Sequence, residues 1–357
     1  MLSTIKTFKT KFTFRAQASK VMPLLITSLL MCGLSKAQTT GDYRSIATGN
    51  WSVASTWERF NGTAFVGAPA APGSSDGVIT IRTGNNVTVN TGVTVDQVIV
   101  NAGGTLTQTS TLSVVDGVGD DVTVNGSYIF LGGTLNGAGV MKVNGNMDWQ
   151  TGSLQGNLVL NSSAISTKST VGAAIIQGNG VLTNNGTLTW SGGDFGMGNG
   201  TFNNGTTGLI TISGDNQLVE VGGATSFSNE GTITKSTGTG TTTIAVNGSN
   251  TGTINVTTGI ITSSRAFTNS GNINAGSGKK FQVSGGTFTL NTGSHSTGAG
   301  NFEFLGGTLT VNAASATATK FLFTGGTMNG SGTLTVSSGM DWQTGSLQGN
   351  LVLNSSA

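Results

Sequence analysis

The sequence holds 357 residues, of which only 8% are charged and 58 are glycine. Ordinary globular domains carry roughly 25% charged residues, while a disordered chain would lack the many short, alternating Val-, Ile- and Thr-rich runs found here. The composition argues against both and leaves a repetitive all-β protein.

Residues 1–37 differ from the rest. Lys6, Lys9, Lys11, Arg15 and Lys20 form a basic stretch without an acid, followed by an apolar run over 21–34 and then Ser35-Lys36-Ala37. This is the pattern of a secretory signal peptide cut after Ala37. The run of about 14 residues is shorter than the roughly 20 a membrane-spanning helix needs, so no span is expected after cleavage. Cys32 suggests a lipidation site, but the bulky Met31 before it argues against one. Beyond residue 37 the chain carries 10 basic against 14 acidic residues, a net charge of −4, so the basic isoelectric point belongs to the leader. Nothing favours nucleic acid or an anionic membrane as partner. No cysteine remains to form a disulfide or a thiolate metal site.

Residues 38–75, with Trp51, Trp57, Pro69 and Pro72, predict a compact N-terminal cap. A solenoid needs such a unit to cover the open end of its core. From residue 76 the repeats begin. Asn-x-Gly recurs at Asn184/Gly186, Asn203/Gly205, Asn229/Gly231, Asn250/Gly252 and Asn269/Gly271. Gly-Gly-Thr recurs at Gly285, Gly306 and Gly325. A larger copy overlies this period: residues 147–164, MDWQTGSLQGNLVLNSSA, return unchanged at 340–357, and 128–164 align without gaps with 321–357.

A unit of two or three strands and about 20 residues cannot bury one apolar face alone, but stacked units enclose a common core. The pattern predicts a right-handed parallel β-helix over 76–357 with coils of about 19–21 residues, right-handed because parallel crossovers are. Roughly 14 coils fit at about 4.8 Å each. Asparagines at one point of successive coils are expected to stack their amides into a ladder. A β-sandwich would lack such a register, and a calcium β-roll would need aspartate in its glycine turns.

The residues Gly49-Asn50-Trp51-Ser52, Thr56-Trp57, Ala71-Pro72-Gly73 and Val87-Thr-Val89, leading to Gly103-Gly104-Thr105, carry a resemblance. They look like the opening of large secreted Bacteroidetes cell-surface proteins, in which a GNW…TW cap leads into a parallel β-helix similar to the eight-glycine extracellular domain. The resemblance implies an extracellular or cell-surface location, often reached by the gliding-associated secretion system, and little about chemistry. The sorting domain of such proteins is not visible in the sequence, which stops within a copied unit and reads as part of a longer protein.

Candidate chemistry is sparse. Asp76, Asp96 and Asp116 are evenly spaced, as carboxylates stacked on one face would be, but no His or Tyr accompanies them. Asp116, Asp120 and Asp121 form the one dense acidic loop, a weak calcium candidate without EF-hand spacing. His295 reads as a loop residue, since one His without Cys builds no usual zinc site. Trp149, Trp190 and Trp342 each precede a glycine turn, and recurring aromatics of this kind stack in a core or, facing outward, offer a platform to sugars. Lys279-Lys280 reads as a solvated pair. A flat self-associating or ice-binding face would need a regular Thr-x-Thr array, and Thr206-Thr207 and Thr241-Thr-Thr243 do not make one. The expectation is a secreted, non-enzymatic, adhesin-like rod without cofactor or catalytic residues. Its partners would be matrix components, glycans or other cell-surface molecules, with a carbohydrate-binding or polysaccharide-degrading module as the alternative.

Overall fold

The computed structural model describes residues 37–354, so the expected signal peptide lies outside them except for Ala37. The chain divides into two units, Met1–Thr39 and Thr40–Ala357, and the fold is that of the second. Strand makes up 53% of the protein and no α-helix occurs among the described residues.

Short strands wind into coils, each giving one strand to each of three parallel sheets. The first face opens with Ile79–Ile81, Val98–Val100 and Val122–Val124. The second opens with Asn86–Val89, Thr105–Gln108 and Ser127–Phe130, the third with Val93–Val95, Leu112–Val114 and Thr134–Asn136. The stack is a parallel β-solenoid of about 13 turns, on the order of 60 Å long at about 4.8 Å per coil. Late in the chain the second and third faces fuse, because Ala316–Phe323 and Thr333–Trp342 run straight through the corner between them.

The coils are less uniform in length than the sequence pattern predicts. A short coil stacks Met141 on Leu158, while a much longer one stacks Phe202 on Phe227. Strand pairing fixes the faces, so added residues go into the corners, where loops meet water.

Inward positions repeat like on like. On the first face Phe267 stacks on Phe288 with ring centroids 5.6 Å apart, and on the third Phe304 lies 5.7 Å from Phe323. The expected amide ladder is present at the end of the first face. Asn184 Nδ2 donates to Asn204 Oδ1 (2.8 Å), Asn204 to Asn229 (2.7 Å), Asn229 to Asn250 (2.6 Å) and Asn250 to Asn269 (2.7 Å). All five are buried. One rung corrects the sequence reading: the Asn-x-Gly spacing selects Asn203, but Asn204 enters the core, and half-buried Asn203 faces out to accept from Ser228 Oγ. At the foot of the ladder sits Leu160, in register with Asn184, and Asn184 Oδ1 has no partner.

Residues 40–67 lie against the first coil. Tyr43–Ser45 pairs parallel with Ile79–Ile81 and antiparallel with Trp57–Phe60, which pairs antiparallel with Phe65–Gly67. The two tryptophans of the opening motif meet edge to face at 4.9 Å. Trp57 Nε1 donates to Trp51 O (2.8 Å), and Trp51 Nε1 to Pro72 O (2.9 Å), which ties the proline loop to the pair.

The long duplication does not repeat its position on the solenoid. Ser127–Phe130 and Asn146–Trp149 lie on the second face, but their copies at Phe321–Phe323 and Met340–Trp342 lie on the third. Likewise Asn157–Leu160 belongs to the first face and its copy Asn350–Leu353 to the second. The same sequence folds one face further round, and the stacked Phe130–Trp149 pair is replaced in the copy by an edge-to-face contact of Phe323 with Trp342.

The ladder generates a test. Asn229→Ala removes a donor and an acceptor from the middle of the row and strands the buried Oδ1 of Asn250, so it should lower stability by about 2–4 kcal/mol in urea unfolding. Asn203→Ala, one residue outside the ladder's register, should change it by less than about 0.5 kcal/mol.

Candidate functional site

The surface is set by the residues that alternate with the core, and their register gathers neutral side chains into long columns beyond Lys142 on the first face and Asp148 on the second. On the first face an outward column runs coil by coil from Thr183 through Asn203, Ser228 and Ser249. It continues through Thr268, Thr289 and Thr310 to Asn329. Every member is a hydroxyl or an amide and half-buried. On the second face a similar column runs from Thr167 through Thr189, Thr211 and Thr234. Asn255, Asn274 and Thr297 complete it. Beside it stand Thr187, Thr232 and Thr253, giving Thr-Leu-Thr, Thr-Ile-Thr and Thr-Ile-Asn strands in register, broken by Leu209. A threonine array therefore exists that the linear sequence conceals, because its members are one coil apart. Neighbours in it bond to one another, as Asn274 Nδ2 does to Asn255 Oδ1 (3.2 Å).

Charge gathers on the third face. Arg265 pairs with Glu220 across two coils (3.4 Å). Glu303 points outward yet is 1% exposed. It accepts from Gln282 Nε2 (2.7 Å), Lys280 Nζ (2.9 Å) and Asn301 Nδ2 (3.2 Å). Burial alone would raise its pKa, but these hydrogen bonds and the lysine charge prevail and hold it below the ordinary glutamate value. Lys280 is thus an ion-pair partner rather than a simply solvated residue. Two coils along the same column, past Leu322, stands Asp341. A surface cavity of about 220 Å³ lined by Asn301, Lys320, Leu322, Met340 and Asp341 lies beside this group.

Trp149 and Trp190 are 2% and 4% exposed, so they are core side chains and offer no platform to a sugar. Trp149 stacks on Phe130 at 5.3 Å; Trp190 Nε1 ties down its corner by donating to Gly193 O (2.6 Å). Trp342, the copy of Trp149 one face further round, is 45% exposed on the last complete coil described. Asp116, Asp120 and Asp121 do not converge: Asp120 pairs with Lys142, and Asp121 turns inward to accept from Val140 N (2.7 Å) and Gly117 N (3.3 Å). Among the described residues no group of three or more His, Cys, Asp or Glu is placed to hold a metal. The evenly spaced acidic series also fails. The third face sets Val95 against Val114 there, so Asp96 falls level with Val115 and Asp116 is out of step with it. Asp76 instead accepts from Gly73 N in its own turn (2.9 Å). His295 opens a strand rather than a loop and contacts Thr317 Oγ1 through Nδ1 (2.8 Å).

Sequence reasoning missed the two fully buried lysines, Lys168 and Lys235. Both lie in the inward row of the second face, in register through Trp190 and Ile212. A signal for them exists: Thr-Lys-Ser-Thr occurs at 167–170 and again at 234–237.

Comparison with family models, with curated proteins and with solved structures finds no match to this chain. Among the described residues no helix is long and apolar enough to cross a membrane, which leaves strand-crossing proteins unaddressed.

Glu303 supplies a pH test with a defined sign. Because its folded pKa is lowered, its stabilising contribution is complete above the ordinary glutamate value and is lost as pH falls through the folded one. Glu303→Gln should therefore narrow the difference in melting temperature between pH 7 and pH 3, measured by circular dichroism.

Proposed function

We propose that this chain is a secreted or cell-surface rod of adhesin type, without catalysis, that meets its partner through the neutral columns running from Thr183 to Asn329 on the first face and from Thr167 to Thr297 on the second. The observation that carries this reading is the first-face column from Thr183 to Asn329, eight coils deep with no ionised side chain. A neutral, hydroxyl-rich partner such as a matrix glycan meets no unpaired charge there, and desolvating such a face is less costly than desolvating ion pairs. The leader over residues 1–37 and the resemblance of residues 49–106 support export to the cell surface. The short hydroxyl and amide side chains give up little conformational entropy when held, which suits repeated weak contacts along a stiff support.

A second reading, a carbohydrate-active face, rests on Glu303 and Asp341 with Lys280 and Lys320 beside them. Two coils separate the carboxylates by about 9.6 Å, near the upper limit for inverting glycosidases. Glu303, however, is held ionised by three donors and is poorly suited to act as an acid.

Binding of residues 38–357 to a glycan array tests the first reading, with the double variant Thr268→Glu/Thr289→Glu alongside. Neutral glycans should bind the parent and lose at least tenfold in affinity with the variant, its circular dichroism unchanged. Binding that ignores the double variant but disappears in Glu303→Gln would move the site to the third face.

A further inference from the structure

The two Thr-Lys-Ser-Thr segments put an ammonium group where a solenoid core should hold none. Lys168 is 0% exposed, and its Nζ donates to Thr170 O (2.5 Å), Gly172 O (2.7 Å) and Gly192 O (3.0 Å). No carboxylate is among these partners; Asp148 and Asp194 act on it only at a distance. Isolated buried charge is expensive, and a lysine that merely filled space would point its amine to water. Here three main-chain oxygens from two successive corners converge on the nitrogen. The space is shaped for it: at Gly193, φ +62°, an added Cβ would lie 2.6 Å from Thr170 O and 2.9 Å from Lys168 Nζ. Lys235 repeats the arrangement three coils on, donating to Gly214 O (2.5 Å), Asp215 Oδ1 (2.7 Å) and Thr242 Oγ1 (3.1 Å). There too a positive-φ glycine one coil later, Gly259, would meet Lys235 Cε at 3.0 Å if it carried a Cβ.

We propose that the corner formed by residues 168–172 and 192–193 is a binding site for a monovalent ammonium-type cation, filled in the native protein by the chain's own Lys168. The carbonyls of Thr170, Gly172 and Gly192 all point at one nitrogen, and a tethered cation satisfies the three at once. The oxygen set fits a singly charged, hydrogen-bond-donating ion; a divalent metal would call for carboxylates. At Lys235 the same device recruits one carboxylate, Asp215, whose pKa is lowered chiefly by the hydrogen bond from that lysine. The Lys168 site is the purer case because its oxygens are all main-chain.

Lys168→Ala removes a fragment equal to propylammonium, which supplies the probe. In the variant, propylammonium chloride should raise the melting temperature by several degrees. Tetramethylammonium chloride, equally charged but without N–H donors, should not, and neither salt should do so in the parent. A folded Lys168→Ala that responds alike to both salts would overturn the site. Should that variant fail to fold, Lys168→Met decides: it keeps the stem without the charge, so a melting temperature equal to the parent's would show that the corner needs no cation. In the parent, the Lys168 side chain should appear in nitrogen-15 spectra at pH 7 as a slowly exchanging ammonium, and a neutral amine there would equally sink the proposal.

Discussion

Parallel pairing between coils is the constraint on which everything else rests. Each strand takes its hydrogen bonds from the coil before and the coil after, so a residue's neighbour above and below is whatever stands at the same position one turn away. A side chain that packs poorly with its own kind cannot occupy an inward row for long. Phenylalanine stacks on phenylalanine, and asparagine hands its amide proton to the next asparagine. The same rule makes the interior tolerant along its length and intolerant across it. Insertions such as the one that lengthens the coil between Phe202 and Phe227 are accepted at corners, while a polar residue entering a row needs a partner in the next coil.

That rule also explains what could be read from the sequence. The coil, the three-strand alternation and the amide ladder were legible because they recur once per coil and declare themselves by alternation. The Asn-x-Gly spacing points to Asn203 rather than Asn204 because the motif counts from glycine, whereas the fold fixes parity along the strand. The acidic series at 76, 96 and 116 failed for the same reason, since the local coil is one position shorter than their interval and sets them on different rows. The tryptophans at 149 and 190 could not be sorted by pattern alone, because an aromatic before a glycine turn reads the same whether it faces in or out. The threonine columns escaped notice because their regularity runs between coils. Lys168 and Lys235 give no sign of burial in the pattern, because lysine in a polar repeat reads as solvated, and only the two identical tetrapeptides distinguish them.

Charge is distributed by the same geometry. Two faces carry columns of neutral hydroxyls and amides, while ion pairs such as Arg265 with Glu220 and Lys280 with Glu303 bridge coils on the third. Like charges stacked at about 4.8 Å would repel at every step, so a solenoid face is either neutral or alternates in sign. On the third face Glu303 stands between neutral Gln282 and Leu322 in its own column and takes its counter-charge from Lys280 beside it. The corners handle charge differently again, by drawing an ammonium group inward to main-chain oxygens.

The duplicated segment that lands one face further round has a geometric corollary. A copy shifted by a third of a turn places its surface features on a spiral, as the stripe on a barber's pole, so two copies look out in different directions although their sequences agree. One more copy at the same interval would look out from the remaining side, and a fourth would return to the first. A fibre that grows by such duplications acquires no front or back: whatever the segment presents is offered to every direction in turn, and lengthening the fibre also completes its circumference.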